Sequence, residues 1–360
     1  MKKKRSFFWI FSGLLLAIGS ATAQTDMPTE VEPAFLRKNF VPQLPRIANS
    51  EEHEEAKWLL YGTVPRLEKE EYDFLEKMAL NARTSKAIFS TGNWHLTLFY
   101  KGVTSYGGKD PQGDRSIAML SKWAKERPQS ITAQVALAQG WVNYAWVASG
   151  NGETEPDWKL FRERIEQARM VLREAKNLPE KDPHWWSVAQ EVGICQHWDE
   201  ATFDGLYQEA IDFEPTYYPY YFNKATYFLE RWHGKKGDPE RFAVEAADAF
   251  GKLKGQAQGD ALYARMFWNF DARHFSEVSF QDKTLMSIER IERGMQELAR
   301  QYPDNVVVHG AWVQMYYLNQ NPANKAKALQ LLPKTRNIVD PWVWHNMDAY
   351  NSVVLWLHRS

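Results

Sequence analysis

The stretch WKLFRERIEQARMVLREA, residues 158–175, decides the fold class. Trp158, Phe161, Ile165, Ala168, Leu172 and Ala175 recur three or four residues apart, which puts them along one stripe of a helix of about five turns. Arg162, Glu163, Arg164 and Glu166 fall on the remaining faces as an ion-paired surface. Gly150-Asn151-Gly152 stops the segment before it, and Pro179 closes this one. A helix that is apolar on one side only needs helical neighbours to cover that side.

Those neighbours are legible in both directions. Upstream, Ser130 starts an apolar segment through Ser149; its Thr132, Gln134, Gln139 and Asn143 would be costly in hydrocarbon, so a buried helix is expected and not a membrane span. Asp114 opens a segment carrying Ile117, Leu120 and Ala124 that ends before Pro128, and Asn93 caps one through Val103. Pro65 opens a helix with Leu67, Phe74, Leu75, Met78 and Ala82 on one face, while Ser50 with Glu51 and Glu52 starts a helix that Gly62 stops. Downstream, Asp199, Asp238-Pro239, Asn321-Pro322 and Asp340-Pro341 are further cap-like starts. Val306-Val307-Val308, the only β-branched row, follows Tyr302-Pro303-Asp304 and is expected to begin a helix, so no strand is predicted.

Helices of this length joined by short turns suggest stacked antiparallel hairpins with a period near 34 residues. Tyr207, Ala210 and Pro215 have the spacing of the second helix of a tetratricopeptide repeat; Ala168, Leu172 and Ala175 echo it, and Trp312, Tyr316, Asn319, Ala326 and Leu329 suggest another hairpin. The register drifts, so the expected fold is all-α, an irregular tetratricopeptide-like α-solenoid, with a compact α/α bundle as the alternative.

Several blocks carry a family resemblance. Ser90-Thr91-Gly92-Asn93-Trp94, Leu98-Phe99-Tyr100, Trp123, Glu126-Arg127-Pro128-Gln129-Ser130, Tyr144-Ala145-Trp146, Phe213-Glu214-Pro215 and Glu230-Arg231-Trp232-His233-Gly234 lie within residues 60–250. Together they resemble a bacterial domain family of unknown function, the one numbered four thousand and thirty-four. Glu230 stands where that family's pattern has proline, and His233 where it has glycine. The resemblance implies helical-repeat architecture and no reaction, cofactor or catalytic residue.

The first residues read as a signal peptide over 1–23. Lys2, Lys3, Lys4 and Arg5 precede the apolar run Phe7 to Ile18, and Ala21-Thr22-Ala23 predicts cleavage between Ala23 and Gln24. Residues 24–49, with Pro28, Pro33, Pro42 and Pro45, are expected to form an extended lead-in, and 50–360 the helical body. The product is expected to be exported, periplasmic or extracellular, with no membrane span after cleavage. The sole cysteine, Cys195, is far from the cleavage point, so lipid attachment there is not expected, and it reads as a small buried hydrophobe. Lys plus Arg number 44 and Asp plus Glu 45, a balance that argues against nucleic acid as a partner.

No residue constellation predicts a reaction, a metal or a cofactor. His53-Glu54-Glu55-Ala56-Lys57 misses the two-histidine zinc pattern at its last position and reads as a solvated helix face. In His197-Trp198-Asp199-Glu200, Asp199 is better used as a helix cap, and Cys195 with His197 has the wrong spacing for a nucleophile and its base. Gly107-Gly108-Lys109-Asp110 lacks the pattern of a phosphate loop and reads as a turn. What stands out is 16 Trp, 16 Tyr and 19 Phe. Most of these are expected to fill wedges between helices, yet Tyr217, Tyr218, Tyr220, Tyr221, Glu230, Arg231, Trp232 and His233 form a candidate groove, with Lys235-Lys236-Gly237-Asp238 as its rim.

Two functions follow from this. One is a non-catalytic helical-repeat protein binding a protein or peptide partner; the other is an envelope glycan-binding protein or an α/α-toroid enzyme acting on glycans. An open superhelix with a dry aromatic interior would favour the first. A closed ring with two acids about 5 to 9 Å apart in an aromatic cleft would favour the second.

Overall fold

Residues 158–175 form the helix Trp158–Ala175, capped by the Asp157 carboxylate on the Leu160 amide at 2.9 Å. Phe161, Ile165, Ala168, Leu172 and Ala175 are buried, while Trp158 at the open first turn stays exposed. The computed structural model describes residues 46–105, 113–150, 155–274, 287–319, 321–344 and 346–358. The signal peptide, its cleavage point, most of the lead-in and the Gly107–Asp110 turn lie outside the described residues.

The fold is all-α. Helices Glu51–Tyr61 (α1), Val64–Glu68 (α2), Tyr72–Ser85 (α3), His95–Val103 (α4), Asp114–Glu126 (α5), Ile131–Ala148 (α6), Trp158–Ala175 (α7) and Pro183–Cys195 (α8) make the first part. Glu200–Phe213 (α9), Pro219–Tyr227 (α10), Asp238–Lys254 (α11), Gln256–His274 (α12), Ile288–Gln301 (α13), Val306–Asn319 (α14), Lys325–Leu331 (α15), Pro341–Trp344 (α16) and Met347–His358 (α17) follow. Consecutive helices pack on one another, most extensively α6 on α7, α12 on α13 and α11 on α12. Gly294 shows how close: a Cβ there would stand 2.1 Å from the Asp260 carbonyl oxygen. No helix of the described residues is long and apolar enough to cross a membrane.

Start signals held where a side chain could reach a free amide. Ser50 accepts from His53, Ser130 from Ala133, Asp199 from Thr202 and Asn321 from Ala323. Other expectations need correction, among them the caps at Asp114 and Asp238, which are the first helical residues behind N-caps Gly113 and Gly237. Glu70 adopts φ 58° and splits the predicted 65–82 helix into α2 and α3, which turns Phe74 outward. Asn93 does not cap α4, whose N-cap is Trp94. Strands exist, although minimal: Arg46–Ile47 (β1) pairs in parallel with Ile338–Val339 (β2), and Ile88 bridges Trp94.

That strand pair joins the two ends of the fold. The Ser50 amide donates to Asp340 Oδ2 at 2.7 Å, and Asn305 Nδ2 donates to Glu52 Oε2 at 2.7 Å. His53, expected on a solvated face, is buried instead, 3.2 Å from Asp340 through Nδ1 and stacked on Trp342 at 4.6 Å. Glu54 and Glu55 beside it do face solvent. The body thus begins no later than Arg46, and the course of the helices closes on itself. Where the elements converge lies the loop between α3 and α4. Its Ser90 is held by Glu52 and by Arg265 Nε, its Ile88 carbonyl lies 3.4 Å from the Tyr302 hydroxyl, and Trp94 Nε1 donates to the Thr216 carbonyl.

Candidate binding surface

The segment proposed as a groove divides in two. Tyr217, Tyr218, Tyr220 and Tyr221 are buried, so these four rings are interior packing and do not line an open groove. Their hydroxyls are used inside. Tyr217 meets Thr97 Oγ1 at 2.9 Å and His184 Nδ1 at 2.7 Å, Tyr220 donates to the Pro183 carbonyl, and Tyr221 donates to the Pro215 carbonyl. Tyr218 lies under the Arg265 guanidinium, 4.8 Å from its centroid. Burial pushes all of the Tyr217, Tyr220 and Tyr221 phenols upward. The sequence signal for them, aromatics in pairs, was real, but the proline after the pair starts α10 and rolls the segment into the core.

Around Tyr217 runs a polar network. Asp182 caps α8 through the His184 amide at 2.8 Å and accepts from Arg83 Nη1 at 2.8 Å and from the Tyr100 hydroxyl at 2.7 Å. His184 Nε2 faces Gln139 Oε1 at 3.2 Å, and Gln139 Nε2 donates to Glu191 at 3.1 Å. Burial, then Lys101, pushes the His184 imidazole down to about 3, so it is neutral. Each of these groups has an internal partner, and together they hold α3, α4, α6 and α8 to the segment before α10.

Glu230, Arg231, Trp232 and His233 remain at the surface. They form the turn after α10, in which the Trp232 amide donates to the Leu229 carbonyl at 2.8 Å and the His233 amide to the Tyr227 carbonyl at 3.2 Å. Gly234 makes the turn possible, because a Cβ there would overlap the Phe228 carbonyl at 1.7 Å. Glu230 is exposed and the other three are half-buried. The Lys235–Asp238 rim is a tight turn between helices, with Lys235 and Lys236 exposed and the Lys235 amide on Asp238 Oδ2.

Two residues join this turn from elsewhere. Trp146, at the end of α6, stands edge-on to Trp232 at 6.3 Å. His197, one residue past the α8 C-cap, lies 5.8 Å from the Trp232 ring and 5.3 Å from the His233 ring. It is exposed and holds φ 55°, a left-handed conformation in which the α8 end closes through the His197 and Trp198 amides. A histidine there costs about 1 to 2 kcal/mol relative to glycine. His233 is fixed by a parallel stack on Tyr227 at 4.2 Å, yet its Nε2 and the Trp232 Nε1 are shielded from solvent with no hydrogen-bond partner. Burial, then the neighbouring His197, lowers the His233 imidazole below its ordinary value, and burial pushes Arg231 down to about 10.

Sequence reasoning named His197 but tied it to Cys195 and Asp199. Cys195 is buried among apolar side chains, and burial raises its thiol well above the ordinary value. Asp199 is occupied as the α9 cap. Lys224 was missed altogether. Its Nζ sits 4.7 to 5.8 Å from the centroids of Phe203, Tyr207, Tyr227 and Phe228 and pairs with Asp204, while burial pushes it down to about 8. This clamp ties α10 to α9 beneath the 230–233 turn. Among the described residues no group of three or more His, Cys, Asp or Glu could hold a metal ion.

Compared with known proteins, the chain finds no counterpart: no family model, no curated protein and no solved structure matches it.

Proposed function

We propose that this is an exported helical-repeat protein that binds a protein or peptide partner on the surface formed by Glu230, Arg231, Trp232, His233, His197 and Trp146. Membership of the family of unknown function that residues 60–250 resemble is part of the same proposal. The observation that carries it is the pair of Trp232 Nε1 and His233 Nε2, which lack a hydrogen-bond partner at a surface built with a strained His197. Strain and unsatisfied polar groups persist where something other than stability selects them. Tryptophan and arginine beside an exposed acid are also the side chains that anchor partner proteins.

The glycan alternative draws support from one finding, the closure of the fold on itself. Against it, the loop between α3 and α4 fills the place where the elements converge, and the buried Asp182 and Asp340 are engaged by Arg83, Tyr100, Ser50 and His53.

A photo-crosslinking residue at exposed Glu230, in the protein expressed with its leader, tests the partner surface. One discrete crosslinked product is expected in the envelope fraction, absent when the crosslinker is at Glu163. Trp232→Ala should remove that product while lowering Tm by no more than a few degrees. A product equally abundant in Trp232→Ala would overturn the assignment of this surface.

A further inference from the structure

We propose that His197 and His233 form a two-imidazole binding site for a divalent transition ion of borderline softness, of the Zn2+, Ni2+ or Cu2+ class. The two residues are far apart in sequence and come together only because the end of α8 packs against the turn after α10. The spacing of the rings fits one shared ion. Imidazole nitrogens bind zinc at about 2.0–2.1 Å, so two rings on one tetrahedral ion have centroids about 5.2 Å apart. The observed separation is 5.3 Å, with ring planes at 58°.

Three features favour an ion over a simple contact. His233 Nε2 has neither a protein partner nor exposure to solvent, a cost that a bound cation removes. Its ring is held by the parallel stack on Tyr227, which fixes a ligand's direction in the way that surrounding groups orient metal-binding histidines. His197 stands beside it in the left-handed conformation, where a glycine would be unstrained and this chain carries an imidazole. His197 is exposed, so an ion meets this imidazole first from solvent. With two protein ligands the remaining coordination positions are open to water or to a donor group of a bound molecule, and this site stands whether or not a partner protein docks on the same surface.

The test is titration of the full mature chain with Zn2+ alone, followed by calorimetry and by thermal denaturation. One ion per chain is expected, with Tm raised by Zn2+ and not by Mg2+, which does not favour imidazole. His233→Ala and His197→Gly should each weaken Zn2+ binding at least tenfold. The second variant guards against misfolding, because glycine suits the backbone at 197 and Tm without metal should hold or rise. Zn2+ binding that survives in the double variant H197G/H233A, absence of binding in the parent chain, or equal stabilisation by Mg2+ would each overturn the site.

Discussion

His184 and His233 are each stacked flat on a tyrosine, 4.4 Å from Tyr100 and 4.2 Å from Tyr227, at interplanar angles of 7° in both cases. They differ in what their nitrogens meet. At His184 one nitrogen faces the Tyr217 hydroxyl and the other Gln139, and the residue is sealed in the core. At His233, Nε2 is shielded yet has no hydrogen-bond partner, and a second imidazole on a left-handed backbone stands 5.3 Å away. The first arrangement is complete and its worth is structural. The second is incomplete at the surface, which is the condition a ligand can change.

The comparison breaks most visibly at Asp182, which holds the interior network together. Asp182→Ala removes the α8 cap and leaves Arg83 and the Tyr100 hydroxyl without their shared carboxylate. A loss of about 3–5 kcal/mol in chemical denaturation is expected, the scale of breaking one side of a buried charge pair. A loss under about 1 kcal/mol would mean that the network is not what registers these helices.

Acid offers the next test of the same region. His184 is pushed down to about 3 by burial, whereas in the unfolded chain it titrates near its ordinary value of about 6.5. Between these values the unfolded state binds more protons, so stability is fully present above about pH 6.5 and is lost progressively as pH falls toward about 3. The full difference is on the order of a few kcal/mol. Denaturation midpoints measured from pH 7 to 5, above the carboxylate range, should fall in the parent chain and fall less in His184→Gln. Parallel slopes would show that His184 is not held neutral.

Tyr217→Phe is expected to cost less, about 1–3 kcal/mol, because it strands only His184 Nδ1 and Thr97 Oγ1 while preserving the packed ring. An unchanged midpoint would place Tyr217 among groups that merely fill space.

How much of this was legible in the sequence follows the range of the interactions. The α7 stripe and the Ser50, Ser130, Asp199 and Asn321 caps depend on residues within one or two turns, and they are where the fold matched expectation. Closure depends on partners such as Ser50 with Asp340, 290 residues apart, for which no local pattern exists. The same holds for His53, which local spacing placed in solvent and Trp342 covers. At the candidate surface the 230–233 turn was identified from its own residues. Its partners His197 and Trp146 were not, since only the packing of α8 and α6 against the turn brings them there.

The smallest effect bears on the surface half of the comparison and has the opposite sign. At 197 a non-glycine residue holds φ 55° with its side chain exposed, so the folded protein carries a backbone cost and gains little burial in return. Replacing His197 by Gly removes the clash between Cβ and backbone that disfavours left-handed residues, although glycine also gives the unfolded chain more freedom. The two terms partly cancel, which leaves a net stabilisation of about 0.5–1 kcal/mol. Differential scanning calorimetry of His197→Gly in chelator-treated buffer should therefore show Tm unchanged or raised. A fall of several degrees would mean that the imidazole itself holds the end of α8 against the 230–233 turn, and His197 would then belong with His184 among the structural histidines.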